Sequence, residues 1–449
     1  MALLPKRGVR LVKTKVPVAR IADCPASAEV LLPLVSQSGR RARLCVGQGE
    51  KVARGQVIAT PETEDDCAVT APCDGVMTSL REVEHPQYGN TTCVVIQCMN
   101  TGGAREEKSM PTGPLTADKI LAVARAAGIV DELDGLPLHA KLSAVKGTRR
   151  HRLVIDATEP EIYGTAALAV LKEQAEEVWH GLQLAAAVTG TSRFHIAVTR
   201  GGAGRFLKAL LPQKHALYHV ADRYPVSSYS GGTRRIVLLG AQACLALYHA
   251  VTHADTQTHM VLTVAGDAVN NPQNIRIPIG TPLSHVLHTC GVSEEPQFLV
   301  WGDGITGETV DSEADAGDGS DEGGTAIRDT VTNSAVGDRI TAADNKLPLW
   351  PGVTCMLALL KRRVVPARQC TGCGRCAQVC HAELLPYEIM RRFENQQYSR
   401  LRHLHAWDCD GCGACSYVCP SGLEVRLSVG GAAQVEGSLY FKWEDANDD

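Results

Sequence analysis

The sequence predicts a multidomain α+β protein: an N-terminal β-barrel, an α/β domain, a β-grasp unit and a C-terminal helical module. Three observations carry that prediction. Turn residues punctuate short β-prone pairs through the first hundred positions, helical and strand patterns alternate over 115–260, and one cysteine run is written twice near the C-terminus. The expected units are 1–110 (barrel), 111–257 (α/β), 258–306 (β-grasp), 307–349 (acidic loop and return), 350–430 (cysteine module) and 431–449 (tail).

At 449 residues the chain exceeds one ordinary domain, and its 44% hydrophobic content can fill several cores. Aromatics are only 4%, so Ala, Val and Leu must do most of that filling. A net charge of −4 argues against a general nucleic-acid or anionic-lipid binder. No apolar run reaches the ~18 residues a membrane span needs, and the first residues lack the apolar core of a signal peptide. A cytoplasmic protein is expected, with any membrane role peripheral, at the inner face and through partners.

In the barrel, Gly47, Gly49, Gly55, Pro72, Asp74 and Gly75 separate β-prone pairs between Cys45 and Met77. The pattern resembles the hammerhead barrel of biotinyl and lipoyl carriers. Carrier chemistry needs a lysine at the hairpin tip, and Thr60–Cys67 has none, so a structural, docking barrel is expected.

The α/β domain reads as helix Thr116–Ala127, strand Leu153–Ile155, helix Thr165–Val188, strand His195–Val198, helix Phe206–Leu211, strand Ile236–Leu238 and helix Ala241–Val251. Alternation of this kind predicts a largely parallel sheet, which takes nucleotides beyond the carboxyl ends of its strands. Gly128 to Pro137 is the place for a phosphate loop. Its two glycines, Gly128 and Gly135, flank Asp131, Glu132 and Asp134, and carboxylates repel a phosphate. On these residues an ordinary surface loop is expected.

Strands at Val261–Val269 and Ile275–Leu283, split by Asn270–Asn274, a helix over Ser284–Cys290 and a strand at Phe298–Trp301 predict the β-grasp unit. Glu308–Thr325 carries seven acids and no base, a solvated linker rather than a calcium loop. The segment Leu384–Trp407 between the cysteine runs is helix-compatible, and Lys361–Arg363 and Arg375 read equally as a solvated basic face or as groups that tune a redox potential or dock an acidic carrier.

Cys370, Cys373, Cys376 and Cys380 form a C-x2-C-x2-C-x3-C run, and Cys409, Cys412, Cys415 and Cys419 repeat it before Pro420. This spacing wraps two 4Fe–4S clusters, the last cysteine of each run serving the other cluster. One set is therefore Cys370, Cys373, Cys376 and Cys419; the other is Cys409, Cys412, Cys415 and Cys380. Structural zinc uses C-x2-C pairs but has no use for the threefold repeat. His381, where Pro follows the other run, is expected to be a spectator. The other nine cysteines read as small buried hydrophobes in a reducing compartment.

The order of pieces, the Cys370–Cys380 and Cys409–Pro420 runs, and Val264–Pro272 followed by Ile277–Pro282 resemble the RnfC family, NADH-side subunits of ion-translocating ferredoxin:NAD oxidoreductases. PduS-type cobalamin reductases and PrdC of proline reduction are relatives of that family. The resemblance implies an α/β domain like the complex I flavoprotein subunit, an SLBB-like β-grasp unit, and electron transfer with FMN and NADH. It further implies other redox-complex subunits as partners, membrane Rnf subunits among them, and a ferredoxin-like carrier. Aligned to that family, Gly128, Gly135, Lys141, Glu159, Glu161 and Tyr163 fall in the flavin and nucleotide segment. Most of the loop's glycines are replaced, and a Cβ at a positive-φ position or against a phosphate costs on the order of 1 kcal/mol or more. The alternative expectation is a flavin-free relay between redox partners.

Overall fold

A computed structural model describes residues 7–35, 41–85, 89–99, 114–149, 151–200, 205–211, 216–226, 236–292, 296, 298–309, 346–360 and 366–444. The acidic run past Thr309 and the Lys361–Arg363 segment lie outside these residues.

The N-terminal strands are β1 (Ala22–Asp23), β2 (Glu29–Pro33), β3 (Arg43–Leu44), β4 (Lys51–Val52), β5 (Val57–Thr60), β6 (Val69–Thr70), β7 (Gly75–His85) and β8 (Gly89–Cys98). Sheets β2-β8-β7-β4 and β3-β5-β6 enclose Val30, Leu32, Ile58, Val94 and Ile96 as a barrel sandwich. The first residues are not part of it, contrary to the 1–110 boundary. They run as a strap, with amides bonded from Val9 to Tyr224 (2.8 Å) and from Thr14 to Ile162 (3.0 Å), before β1 joins a different sheet.

The next elements are α1 (Ala117–Ala126), α2 (Leu138–Ser143), β9 (Arg152–Asp156), α3 (Ala166–Thr189), β10 (Phe194–Thr199), α4 (Leu207–Leu210), β11 (Leu217–Val220), β12 (Ile236–Leu239) and α5 (Ala241–His253). Thr116 starts α1 by accepting a hydrogen bond from the Lys119 amide at 3.3 Å. Helices α3 and α5 pack so closely that a Cβ on Gly181 would stand 1.8 Å from the Cys244 carbonyl oxygen. The strands are all parallel, in the order β11-β10-β9-β12. The chain moves one way from β9 and then returns to its other side, so the topological switch point lies between β9 and β12.

The β-grasp unit comprises β13 (His259–Ala265), β14 (Gln273–Pro278), α6 (Leu283–Thr289), β15 (Phe298–Trp301), β16 (Glu308–Thr309) and β17 (Cys355–Leu359). Its sheet runs β1-β14-β13-β17-β15-β16. Strand β17 lies parallel to β13 and antiparallel to β15, in the middle of the sheet. This corrects the 350–430 boundary: residues 355–359 belong to the β-grasp sheet, because Met356 and Ala358 fill a core shared with the barrel.

The C-terminal module holds α7 (Arg375–Val379), α8 (Pro386–Glu394), 3-10 turns at 398–404 and 406–408, α9 (Ala414–Tyr417) and α10 (Val425–Glu444) around Leu384, Ile389, Leu401, Val425 and Val429. Helix α10 crosses the expected 430/431 boundary, since Val429 and Ala432 both face this core. Among the described residues no helix is long and apolar enough to cross a membrane.

Candidate functional site

Both cysteine runs fold the same way. Gly372 and Gly374 take φ of +67° and +71°, and Gly411 and Gly413 take +71° and +75°, a left-handed bend that side chains resist. The two inner glycines lead directly into α7 and α9. The Gly372 amide donates to the Cys370 Sγ at 3.4 Å, and the Gly411 amide to the Cys409 Sγ at the same distance. Amide N–H groups aimed at sulfur stabilise thiolates, the form that binds iron. The Arg375 amide pulls the Cys373 thiol below its ordinary value.

The recess over the first loop is lined by Cys370, Cys373 and Cys376 and, from the second run, by Cys419. The remaining four also meet. Burial pushes the Cys415 thiol up to about 12, and Cys409 and Cys380 beside it push further. Cys409 is raised by burial and then by Asp410 and Cys380. Cys376 is also near enough to act on Cys415, so the two groups of four are neighbours. Cys370 and Cys373 are exposed, whereas the second group is half-buried. Four thiols in each group, on loops with amides turned to sulfur, fit 4Fe–4S clusters.

His381 is not an idle side chain. Its Nε2 lies 2.7 Å from Asp410 Oδ2, with the His381 side chain 6% exposed. Asp410 is raised by burial, but His381 together with the Cys412 amide outweighs this and holds the carboxyl below its usual range.

A cavity of about 650 Å³ opens beyond the carboxyl ends of β9 and β12, at the switch point. Its lining includes Glu132, Asp156, Glu159, Glu161, Gln242 and Asp303. Glu159 Oε1 accepts the Ala167 amide in the first turn of α3 at 2.7 Å. Glu132 accepts the Gln242 amide at 2.7 Å and the Ala243 amide at 3.0 Å, in the first turn of α5. Burial, with Asp131 beside it, pushes the Glu132 carboxyl up to about 8. Asp303 accepts amides of Ile162, Tyr163 and Gly164, and Thr306 donates to Glu161.

One loop separates this cavity from the second cysteine group. Thr306 lines the cavity, and a Cβ on Gly413 would meet the neighbouring Ile305 Cγ2 at 3.2 Å. The buried Tyr224 donates its phenol to the Cys412 carbonyl.

Of the six residues expected at a flavin site, Glu159 and Glu161 line the cavity and Gly128, Gly135, Lys141 and Tyr163 do not. Gly128, at φ +65°, abuts the barrel, its Cβ position 2.9 Å from the Ala68 carbonyl. Lys141 is held between Asp131 and Asp134 at 2.7 Å from each. Tyr163 packs with Val16, Cys355 and Leu357. The surface-loop expectation for Gly128–Pro137 fails: Asp131 and Glu132 are 0% and 4% exposed, because they satisfy the start of α5. Glu132, Gln242 and Asp303 were missed by sequence reading. The one signal was Gly240 between an apolar strand and a helix, the usual place for an anion-receiving turn.

The cavity's place and volume suit a nucleotide; its donor set does not. A flavin or nicotinamide phosphate would face five carboxyl groups, with the start of α5 already taken. Of the bases beside them, Lys15 is spent on the Gly164 carbonyl at 2.5 Å and sits against Glu159 and Asp303, and Lys13 pairs with Asp222 and donates to the Glu159 carbonyl. Among the described residues, those that line the cavity do not fit FMN or NADH.

Two family models match the chain: the RnfC barrel sandwich hybrid domain over residues 5–101 and a 4Fe-4S dicluster domain over residues 369–423. The chain is 27% identical over 399 residues to the C subunit of an ion-translocating oxidoreductase complex from Pseudomonas aeruginosa, an alignment covering 82% of this chain and 47% of that one. It thus spans about half the length of that relative. The C subunit of the Na(+)-translocating ferredoxin:NAD(+) oxidoreductase complex from Acetobacterium woodii is 26% identical over 409 residues, covering 84% of each. A chain of a solved NAD+-reducing NiFe hydrogenase aligns with a TM-score of 0.42 and 14% identity, over 72% of this chain and 62% of that one. With its barrel matched by the RnfC domain, its cysteine runs by the dicluster domain and more than four fifths of its length aligned to these two relatives, the chain is similar to RnfC-type C subunits over most of its length.

Proposed function

We propose that this chain is the electron-transfer subunit of an Rnf-type oxidoreductase complex, relaying electrons through two 4Fe–4S clusters between partner subunits and a redox carrier. Cys370, Cys373, Cys376 and Cys419 hold one cluster; Cys409, Cys412, Cys415 and Cys380 hold the other. The observation that carries this reading is Cys419 lining the recess of the first run, the crossed arrangement that a two-cluster fold needs.

When bound, the clusters supply one-electron acceptor and donor centres. The chain's own residues do the rest. Gly372 and Gly411 amides direct hydrogen bonds at sulfur, and the α8–α10 core walls off the inner group from water. Tyr224 and Ile305 seat the Cys412–Gly413 loop against the rest of the protein. The exposed Cys370–Cys376 loop is the side a carrier such as a ferredoxin can approach. Attachment to membrane subunits at the inner face, through the barrel and partners rather than a span of its own, accords with its relatives' membership of ion-translocating complexes.

The test is anaerobic purification followed by iron and sulfide analysis and low-temperature EPR of the dithionite-reduced protein. About eight iron and eight sulfide per chain are expected, with the broadened signal of two interacting S = 1/2 centres. Zinc in their place, or clusters that dithionite does not reduce, would sink the proposal.

A further inference from the structure

We infer that Glu132 is a resident occupant of this sheet's nucleotide-phosphate position, and that it closes the cavity to flavin and nicotinamide nucleotides. An open parallel sheet receives phosphate where a strand ends and the next helix begins, on amides that have no partner within the helix. Here those amides lie at the β12–α5 turn, at the topological switch point. They are engaged by this chain's own acids. Asp131 accepts from Gly240 at 3.0 Å, and Glu132 accepts from Gln242 and Ala243.

The fit is close. A Cβ on Gly240 would stand 2.0 Å from Glu132 Oε2, so the carboxyl group rests on the one residue in the turn without a side chain. A second device locks the loop. Lys141 bridges Asp131 and Asp134, and the Leu133 and Leu136 amides donate to the same two aspartates, so residues 131–136 form one hydrogen-bonded unit. An incoming phosphate would have to break that unit and strip buried carboxylates of their donors.

The experiment compares the full-length, cluster-loaded wild type with Glu132→Ala and Glu132→Gln, expressed with riboflavin supplementation. FMN released by heat is counted, and FMN binding is titrated by loss of flavin fluorescence. The wild type and Glu132→Gln, which keeps an amide-accepting oxygen in place, are expected to hold essentially no FMN. Glu132→Ala is expected to bind FMN or inorganic pyrophosphate at least ~10-fold more tightly, because the amides are then free. About one FMN per wild-type chain would overturn the inference, as would an alanine variant that binds no better than the glutamine one. Cluster absorbance near 420 nm, read on each sample, establishes that the variant is folded. It also separates this outcome from failure of the electron-relay reading, in which the clusters themselves would be missing.

A second inference rests on a different observation. The Cys73 and Cys98 Sγ atoms, at the mouth of the β7–β8 hairpin, are 2.8 Å apart and only half-buried. We propose that they are a redox-active pair that a small-molecule disulfide converts to a cross-link. One thiolate attacks the oxidant, forming a mixed disulfide and releasing one thiol. The second cysteine then attacks that sulfur, releasing the other, so two protons and two electrons leave the protein. With oxidised glutathione under anaerobic conditions, intact mass is expected to fall by about 2 Da and the two cysteines to vanish together from alkylation maps. In Cys73→Ser, Cys98 is expected to stop at the glutathione adduct. Wild-type protein that accumulates that adduct, or that stays fully alkylatable at both positions, would refute the pair.

Discussion

The crossed ligand assignment makes a quantitative prediction that sequence order alone does not. Residue 419 is the last of the second run, yet it lines the recess of Cys370, Cys373 and Cys376, while Cys380 acts on Cys409 and Cys415. If each set carries one four-iron cluster as proposed, Cys419→Ala should lower iron from about eight to about four per chain. Paired substitutions then identify the cluster that was lost. Cys373→Ala with Cys419→Ala removes two ligands from one set and should still retain about four iron. Cys412→Ala with Cys419→Ala removes one ligand from each set and should retain almost none. Iron analysis, with EPR to confirm that the remaining centre is a single uncoupled S = 1/2 species, reads the outcome. If Cys412/Cys419 keeps four iron and Cys373/Cys419 keeps none, each run holds its own cluster and the crossed reasoning is wrong. Cys380→Ala gives the mirror experiment, paired with Cys415→Ala or with Cys376→Ala.

Other consequences are simpler. Lys141→Met leaves the fully buried Asp131 without its cation and should cost about 3–5 kcal/mol in denaturant titrations, less in a Lys141→Met, Asp131→Asn double variant. Gly181→Ala forces a methyl to 1.8 Å from a helix carbonyl and should cost about 3 kcal/mol or more, read from the same titrations. Burial, with Arg54 and Arg276 facing it and Asp23 only partly offsetting them, lowers His259 from 6.5 to about 4. The unfolded chain then binds the extra proton first, so stability is lost as pH falls from 6.5 to 4, by about 3 kcal/mol from this residue. His259→Gln should flatten that part of the pH–stability curve; parallel curves for the two proteins would refute it.

What was legible in the sequence was what is local. Thiols spaced by two and three residues must share a small loop, so the two cysteine runs could be read directly. The parallel strands were visible as short apolar runs, and their observed ends fall within one residue of expectation at Leu153–Ile155 and Ile236–Leu238. Strand β17 was not, because its partner β13 lies some ninety residues away, in the register Thr263 to Cys355, and nothing near Cys355 announces a parallel neighbour. The fate of Asp131 and Glu132 was hidden for the same reason. An acidic turn reads as solvent-facing until tertiary structure brings it the amides of Gly240, Gln242 and Ala243. The nine remaining cysteines divide likewise: Cys67, Cys93, Cys244, Cys290 and Cys355 are buried as expected, Cys24 is half-buried, Cys45 is exposed, and only packing brings Cys73 to Cys98.

The layering also gives the proposed relay a direction. The inner cysteine group has Asp410 beside Cys412, its carboxyl held below the usual range and therefore charged. Negative charge near a cluster opposes the added electron, and it acts more strongly where water is excluded. The outer group has the exposed Cys370 and Cys373, with Arg375 between Cys373 and Cys376. Its charge is better screened and partly compensated. In the proposed relay the inner cluster is therefore expected to be the lower-potential member of the pair, with electrons passing from the buried group to the exposed one; an EPR-monitored redox titration in which the exposed group is reduced last would refute it.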